Sequence, residues 1–395
     1  MSRRQKSKPM SPFILVVFFF LSLASSLEYN VLNYGANADG KTDSTKAFIA
    51  AWTQACASNI SAAIKVPSGR FLVSKIEFKG PCNNTAISVS VEGTLVAPSD
   101  YWVLGDAGYW LIFQYVDGIT LSGGVLDAQG SSLWSCKSSS KNCPSGATSL
   151  TFSNSNNILI NGLTSLDSQM FNIDINGCHN VKLQGVQVSS SVHSPNTDGI
   201  HIQLSNNVSI FNSTIGTGDD CISIGPGATN LWIQDIFCGP GHGISIGSLG
   251  KDFEEAGVEN VTVKTVRFNS TQNGVRIKSW GRPSNGFATS ILFQNITMVD
   301  VQNPIVIDQN YCPHSINCPG QDSGVKISDI TYQDIHGTSA TEVAVKFDCS
   351  ENNPCTGIVI DNVKLSEKSN GAADSCCKNA YGMTSGYVQP SSCLL

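Results

Sequence analysis

Over most of the chain, single apolar residues alternate with polar ones in short runs broken by Gly and Asn, with little helical periodicity. Alternation of that kind predicts strands with one buried face. The strongest repeat is Asp198-Gly-Ile-His-Ile202, Asp220-Cys-Ile-Ser-Ile224 and His242-Gly-Ile-Ser-Ile246, three phrases set 22 residues apart. Val275-Arg276-Ile277-Lys278 carries the alternation on, with cations in the outward slots. A second phrase, an Asn or Asp leading alternating apolar residues, recurs at Asp117, Asn157, Asn180, Asn207, Asn230, Asn260 and Asp361. Shorter alternations, Ile173-Asp-Ile175, Ile305-Val-Ile307 and Val345-Lys-Phe347, interleave with it.

Two or three strands per repeat, stacked in parallel, predict an all-β fold: a single right-handed parallel β-helix. A propeller needs longer repeats, and leucine-rich repeats need leucines in fixed slots. Ahead of the repeats, Tyr29 to Gly35 reads as a short strand and Asp39-Gly40 as a turn. Asp43 or Thr42 then caps a helix in which Ala47, Phe48, Ala51, Trp52 and Ala55 share one face. Such a helix covers the open edge of a solenoid's first coil. No linker interrupts the chain, and a solenoid lengthens without needing one large spherical core, so residues 27–395 are expected to form one domain.

Stacking turns the 22-residue interval into geometry, because equivalent positions on successive coils lie about 4.8 Å apart. Asp198, Asp220 and His242 should therefore form a ladder on one edge. With Ile200 and Ile202 inward, a straight strand drives Asp198 inward too, and an unpaired buried carboxylate is costly. The expectation is a bend before each isoleucine pair, allowed by Gly218, Gly241 and Gly243, that turns Asp198, Asp219, Asp220 and His242 out into one groove. Arg276 and Lys278, alternating with inward Val275 and Ile277, share the outer face.

Composition narrows the setting. Residues 1–26 carry four early cations, then an apolar run from Phe13 to Leu23 and Ala24-Ser25-Ser26, the pattern of a signal peptide. The run is too short for the roughly 20 residues of a spanning helix, so no membrane anchor is expected in the mature form. Without the leader, 20 Lys and Arg face 30 Asp and Glu. A chain near −10 repels polyanions, which excludes nucleic acid as a partner and requires local cations for any anionic substrate. Fourteen cysteines and seven Asn-x-Ser/Thr sequons fit an oxidising, secretory route. Close pairs such as Cys136/Cys143, Cys312/Cys318 and Cys349/Cys355 read as loop staples rather than metal sites.

Three carboxyls in one groove allow one to stay protonated while another stays ionised, the pairing a glycosidase needs. A lone Asp-Asp pair reads as a turn or a Ca²⁺ site, and a lone histidine between glycines as a turn residue. Three aligned coils with two cations change that balance. In Asn196-Thr-Asp198, Gly218-Asp219-Asp220, Gly241-His242-Gly243 and Arg276-Ile-Lys278 the chain resembles the polygalacturonases, glycoside hydrolase family 28, with the four segments in family order and a plant flavour to its loops. The resemblance runs from about Tyr29 to Leu395. It implies Asp219 as general acid, Asp198 and Asp220 as the carboxylates that activate water for inverting attack, and His242 as the residue holding the acid's state. It further implies Asn196, Arg276, Lys278 and Tyr311 as substrate-binding, with Cys221 and Cys238 joined beside the acid. The implied partner is the pectin polysaccharide homogalacturonan, met in the cell wall by a secreted monomer with no cofactor and no metal. Cell-wall inhibitor proteins are further implied partners. Endo action is expected because no large segment is inserted inside the strand repeats. The alternatives are exo action, a Ca²⁺-dependent lyase, rhamnogalacturonan hydrolysis, and a β-helix that binds pectin without cutting it.

Overall fold

The computed structural model describes residues 26–139, 142–369 and 371–395, so residues 1–25 of the expected leader lie outside the described residues. Described residues build a right-handed parallel β-helix with two hydrogen-bonded sheets of 17 and 11 strands. The larger sheet spans two faces of each coil. Strand Asp117–Asp127 pairs through its first half with Asn156–Asn161 and through its second with Thr164–Leu166.

The Asn-led phrases stack in register, with Ile119, Ile158, Val181, Val208, Leu231 and Val261 on successive coils. Their asparagines sit at left-handed φ values, 54° at Asn157, 59° at Asn180 and 58° at Asn207. Asn tolerates that conformation, and its amide also bonds along the stack. Asn157 donates to Asp117 at 2.6 Å and Asn260 to Asn230 at 2.6 Å. The recurring Asn is thus both the corner and a strut between coils.

The smaller sheet carries the other phrase. Ile200, Ile222, Ile244, Val275, Ile305 and Val345 form one inward file, all buried. The interval is 22 residues up to Ile244 but 31 to Val275, because a loop after strand Ile244–Leu249 leaves the coil before Val258. Inside, like residues stack on like: Phe78, Phe113 and Phe152 lie with centroids 4.6 and 4.9 Å apart.

Helix Thr45–Ala57 closes the first coil with the face the sequence predicts, Ala47, Phe48, Ala51, Trp52 and Ala55 all buried. Trp52 packs on Phe78 and Phe113 and donates its indole N–H to the Lys79 carbonyl at 3.1 Å. Asp43 accepts the Thr45 N–H at 2.8 Å, although Ser44 is the cap position. Two local expectations are corrected. The first strand is Leu27–Asn30, followed by a 3-10 turn over Val31–Tyr34 in which the Asn30 side chain takes the Leu32 N–H. Asp39-Gly40 begins a short strand, Asp39–Asp43, whose Asp39 aligns with Arg70 while its carboxylate accepts the Lys41 and Thr42 N–H groups.

All fourteen cysteines are described. The three staples form as expected, Cys221–Cys238 forms under the edge turn, and Cys56–Cys82 and Cys377–Cys393 tie down the two ends. Cys178 and Cys376 stay reduced, the first buried and the second exposed. Titration with a maleimide should label one thiol per native chain, at Cys376, and two after denaturation without reductant.

Candidate active site

The site lies where the chain passes from the larger sheet to the smaller one. There the turns before Ile200, Ile222 and Ile244 stack as the sequence spacing requires, with Asp198, Asp220 and His242 each two residues ahead of the paired isoleucines. The turns are pressed together. A Cβ on Gly243 would lie 2.2 Å from the Asn273 carbonyl oxygen, and one on Gly218 would lie 2.5 Å from those of Ser191 and Ser194. Cys221–Cys238, fully buried, pins the turn carrying Asp219 and Asp220 to the end of strand Thr229–Cys238.

The bends do not turn every acid outward. Asp198 is 7% exposed and Asp220 only 1%. The reason is compensation. Asp220 receives Lys278 Nζ at 2.7 Å, Arg276 at 2.9 Å and Ser245 Oγ at 2.8 Å. Ser245 in turn accepts the Arg276 Nε–H at 3.0 Å. Both oxygens of Asp220 are thus engaged, and burial becomes affordable for a group that would otherwise be held out to water.

Asp219 stands nearer the surface, with its side chain 18% exposed. One oxygen accepts the Asn196 N–H at 2.8 Å, and the other accepts the Asp220 N–H at 2.8 Å and faces His242 Nδ1 at 3.1 Å. Asn196 presents its N–H from a left-handed φ of 61°. Burial pushes Asp219 up, but the His242 hydrogen bond and charge, with the Asn196 N–H and Lys278, prevail and bring it to about 2. Asp198 goes the other way. Burial raises it well above the ordinary carboxyl range, and the charges of Asp219 and Asp220 raise it further. The surroundings therefore disfavour the charged form at Asp198 and favour it at Asp219.

Tyr311 joins the group as expected, its ring centroid 5.3 Å from Lys278 Nζ and 5.9 Å from the Arg276 guanidinium carbon, with Trp280 edge-on at 5.5 Å. All the sequence-predicted residues therefore converge. Three contributors were missed: His201, Ser223 and Ser245. They fill the slot between the isoleucines of each phrase and align with Arg276 one coil after another. The same repeat that located the acids contained them, because that slot is outward by parity.

The groove floor is the outer face of the smaller sheet, and its banks are segments leaving the two edges. Segments 97–107, 128–139 and 142–146 precede strands Gly108–Gln114 and Ala147–Ser153 on the edge of the acids. Segments 250–257, 281–286 and 312–325 stand on the other. Asp219, Asp220 and His242 each offer a ligand atom within 4.8 Å of the others. Lys278 and Arg276 on Asp220 occupy the lone pairs a metal would need there and repel a cation.

The profile of Glycosyl hydrolases family 28 matches residues 56–393. A polygalacturonase of Prunus persica is 63% identical over 96% of this chain and 97% of its own length. An exopolygalacturonase of Arabidopsis thaliana is 42% identical over 91% of this chain and 81% of its own. The crystal structure of an endo-xylogalacturonan hydrolase from Aspergillus tubingensis superposes with a TM-score of 0.77 at 22% identity, covering 92% of this chain and 100% of that one, which shows a shared fold.

The raised Asp198 sets a sign for stability. A carboxyl whose folded value lies above its unfolded one stabilises fully below the unfolded value, and that contribution is lost as pH rises through the folded value. Asp198→Asn should therefore melt higher than the parent at pH 7 and flatten the fall in Tm between pH 4 and 8. Calorimetry at a fixed scan rate checks this. A parent and variant with parallel Tm profiles would contradict the assignment.

Proposed function

The chain belongs to glycosyl hydrolases family 28, and from that premise we propose that it hydrolyses α-1,4-galacturonosidic bonds of homogalacturonan inside the chain, with inversion at the anomeric carbon. The observation that carries this reading is the convergence of three carboxyls with Arg276, Lys278 and His242 on one groove floor. A uronic acid polymer brings a carboxylate to each sugar, and Arg276 and Lys278, with Tyr311 beside them, provide a local positive field in an acidic protein.

The division of labour follows from the surroundings of each acid. Asp219, at the surface of the cluster and bonded to His242, is placed to meet the glycosidic oxygen and acts as general acid after taking up a proton. Among the described residues Asp198 has no ion pair and so keeps base capacity, whereas Asp220 is saturated by cations and holds them in place. An ionised Asp198 takes the proton of the attacking water, with Asp220 sharing its orientation. Oxygens of Asp219 and Asp220 approach within 4.8 Å.

Endo action is supported by the arrangement of the insertions, which leave the edges of the groove floor rather than interrupting its strands. Exo action stands as the second reading, because relatives of about 40% identity carry that name. Residues 1–26 are proposed as a secretory leader and 27–395 as the catalytic domain, a monomer acting in the cell wall, where inhibitor proteins would compete for the same groove.

Asp219→Asn should lower release of reducing ends from polygalacturonate about 10²–10⁴-fold while oligogalacturonate still binds; turnover near that of the parent would remove the acid assignment. On the parent enzyme, mixed oligomers early in the time course are expected, and monomer alone would make it exo-acting. Proton magnetic resonance should find the β anomer first, and the α anomer first would rule out inversion. Arg276→Ala and Lys278→Ala should each raise KM and also lower kcat. Each loses a substrate contact worth about 1.5–3 kcal/mol and uncouples buried Asp220, whose pairing is worth about 3–5 kcal/mol to break. Unchanged KM in both would dismiss the clamp.

A further inference from the structure

Trp232 stands 42% exposed on the outer face of the larger sheet, and the chemistry above makes no use of it. Its indole N–H donates to Gln234 Oε1 at 2.9 Å, which directs the ring along the strand. On the coil before, the aligned residue is Ser209, and on the coil after it is Thr262. Each is the hydroxyl residue of an Asn-x-Ser/Thr sequon, Asn207-Val-Ser209 and Asn260-Val-Thr262. The phrase between them, Asn230-Leu-Trp232, has the same asparagine corner but an indole in the hydroxyl's slot. Parallel register thus sets one exposed ring between two sequons. A rise of about 3.3 Å per residue and about 4.8 Å between strands puts the Cα atoms of Asn207 and Asn260 about 8 Å from that of Trp232.

We infer that Asn207 and Asn260 carry N-linked oligosaccharides whose first N-acetylglucosamine lies on the Trp232 ring. The inference rests on the reading of residues 1–26 as a secretory leader, which brings the chain to the compartment where sequons are modified. Both asparagines are exposed at corners, with left-handed φ values of 58° and 55°. An asparagine amide has two hydrogens, and the stack between coils uses one. Asn207 donates to Asn180 at 3.3 Å, and Asn260 donates to Asn230 at 2.6 Å. In the modification Nδ2 forms a bond to C1 of the sugar and gives up one proton. The bond from C1 to the diphosphate of a lipid-linked oligosaccharide donor breaks, and the lipid diphosphate leaves. The N–H that remains still serves the stack, so the corner keeps its strut. A pyranose ring offers a face of C–H groups that packs on an indole as an apolar surface while its hydroxyls stay in water. Strands carrying Ser209, Trp232 and Thr262 belong to the larger sheet, whereas Arg276, Lys278 and the turns of the acids lie on the smaller one, so the sugars leave the groove floor open.

The full chain with its leader, produced in a eukaryotic secretory host, is digested and its peptides are mapped by mass spectrometry; Asn207 and Asn260 should both be modified. Hydroxyl-radical labelling then reads the ring. Ser209→Ala combined with Thr262→Ala removes both sequons and leaves the left-handed asparagines in place. Labelling of Trp232 should rise about twofold in that variant, since a sugar on one face hides about half of an exposed ring. Turnover of polygalacturonate should match the parent. Trimming the parent's oligosaccharides to a single N-acetylglucosamine with an endoglycosidase should leave Trp232 protected. If Asn207 and Asn260 are bare in a chain secreted without residues 1–26, the site assignment is overturned and the leader stands. If the chain stays inside the cell with residues 1–26 attached, the leader reading falls and takes this inference with it. Equal labelling of Trp232 in the occupied parent and the double variant would overturn the seat on the indole.

Discussion

Parallel register between successive coils across the paired isoleucines is the constraint on which everything else here depends. It stacks isoleucine on isoleucine in the interior, and the same pairing places the residues between them in an outward file. His201, Ser223, Ser245 and Arg276 are one such file. A slip of one residue would exchange the two files, burying the polar groups and exposing the isoleucines. The inward row therefore guarantees the outward one, and core packing and site geometry are a single specification.

Within that frame the site is a problem in accommodating charge. Three carboxyls crowd one edge of the fold, and each meets a different environment: cations for Asp220, backbone N–H groups and a histidine for Asp219, and burial for Asp198. Asp198 and Asp219, identical side chains, are thereby pushed in opposite directions. The rigidity that keeps them so comes from below, through the disulfide Cys221–Cys238 and the close approach at Gly243 and Gly218.

Much of this was legible in the sequence, for reasons that can be named. The 22-residue interval fixed the ladder of Asp198, Asp220 and His242, because a coil of constant perimeter returns equivalent residues to the same edge. Helix Thr45–Ala57 was legible because its five buried residues follow the helical period. Burial of Asp220 was not, since it depends on Arg276 and Lys278, 56 and 58 residues away, closing over it. Bends at glycine imply outward carboxylates only while the partners, which come from another coil, are left uncounted. The Val31–Tyr34 turn was missed for a local reason: the Asn30 side chain competes with strand pairing for the Leu32 N–H. His201 and Ser223 escaped because polar residues between isoleucines are what any half-buried strand shows.

The departure from the 22-residue interval, where 31 residues separate Ile244 from Val275, shows which parts of this architecture are free to change. The strand positions are held by neighbours above and below, but the excursion between them is bound only at its ends. Lengthening such a loop costs slowly, about 0.6 kcal/mol for each doubling, and leaves the registered residues where they were. The banks of the groove can therefore be rebuilt by insertion and deletion without disturbing the chemistry on its floor. Where a polymer enters can thus be reshaped while the residues carried on the registered strands stay in place.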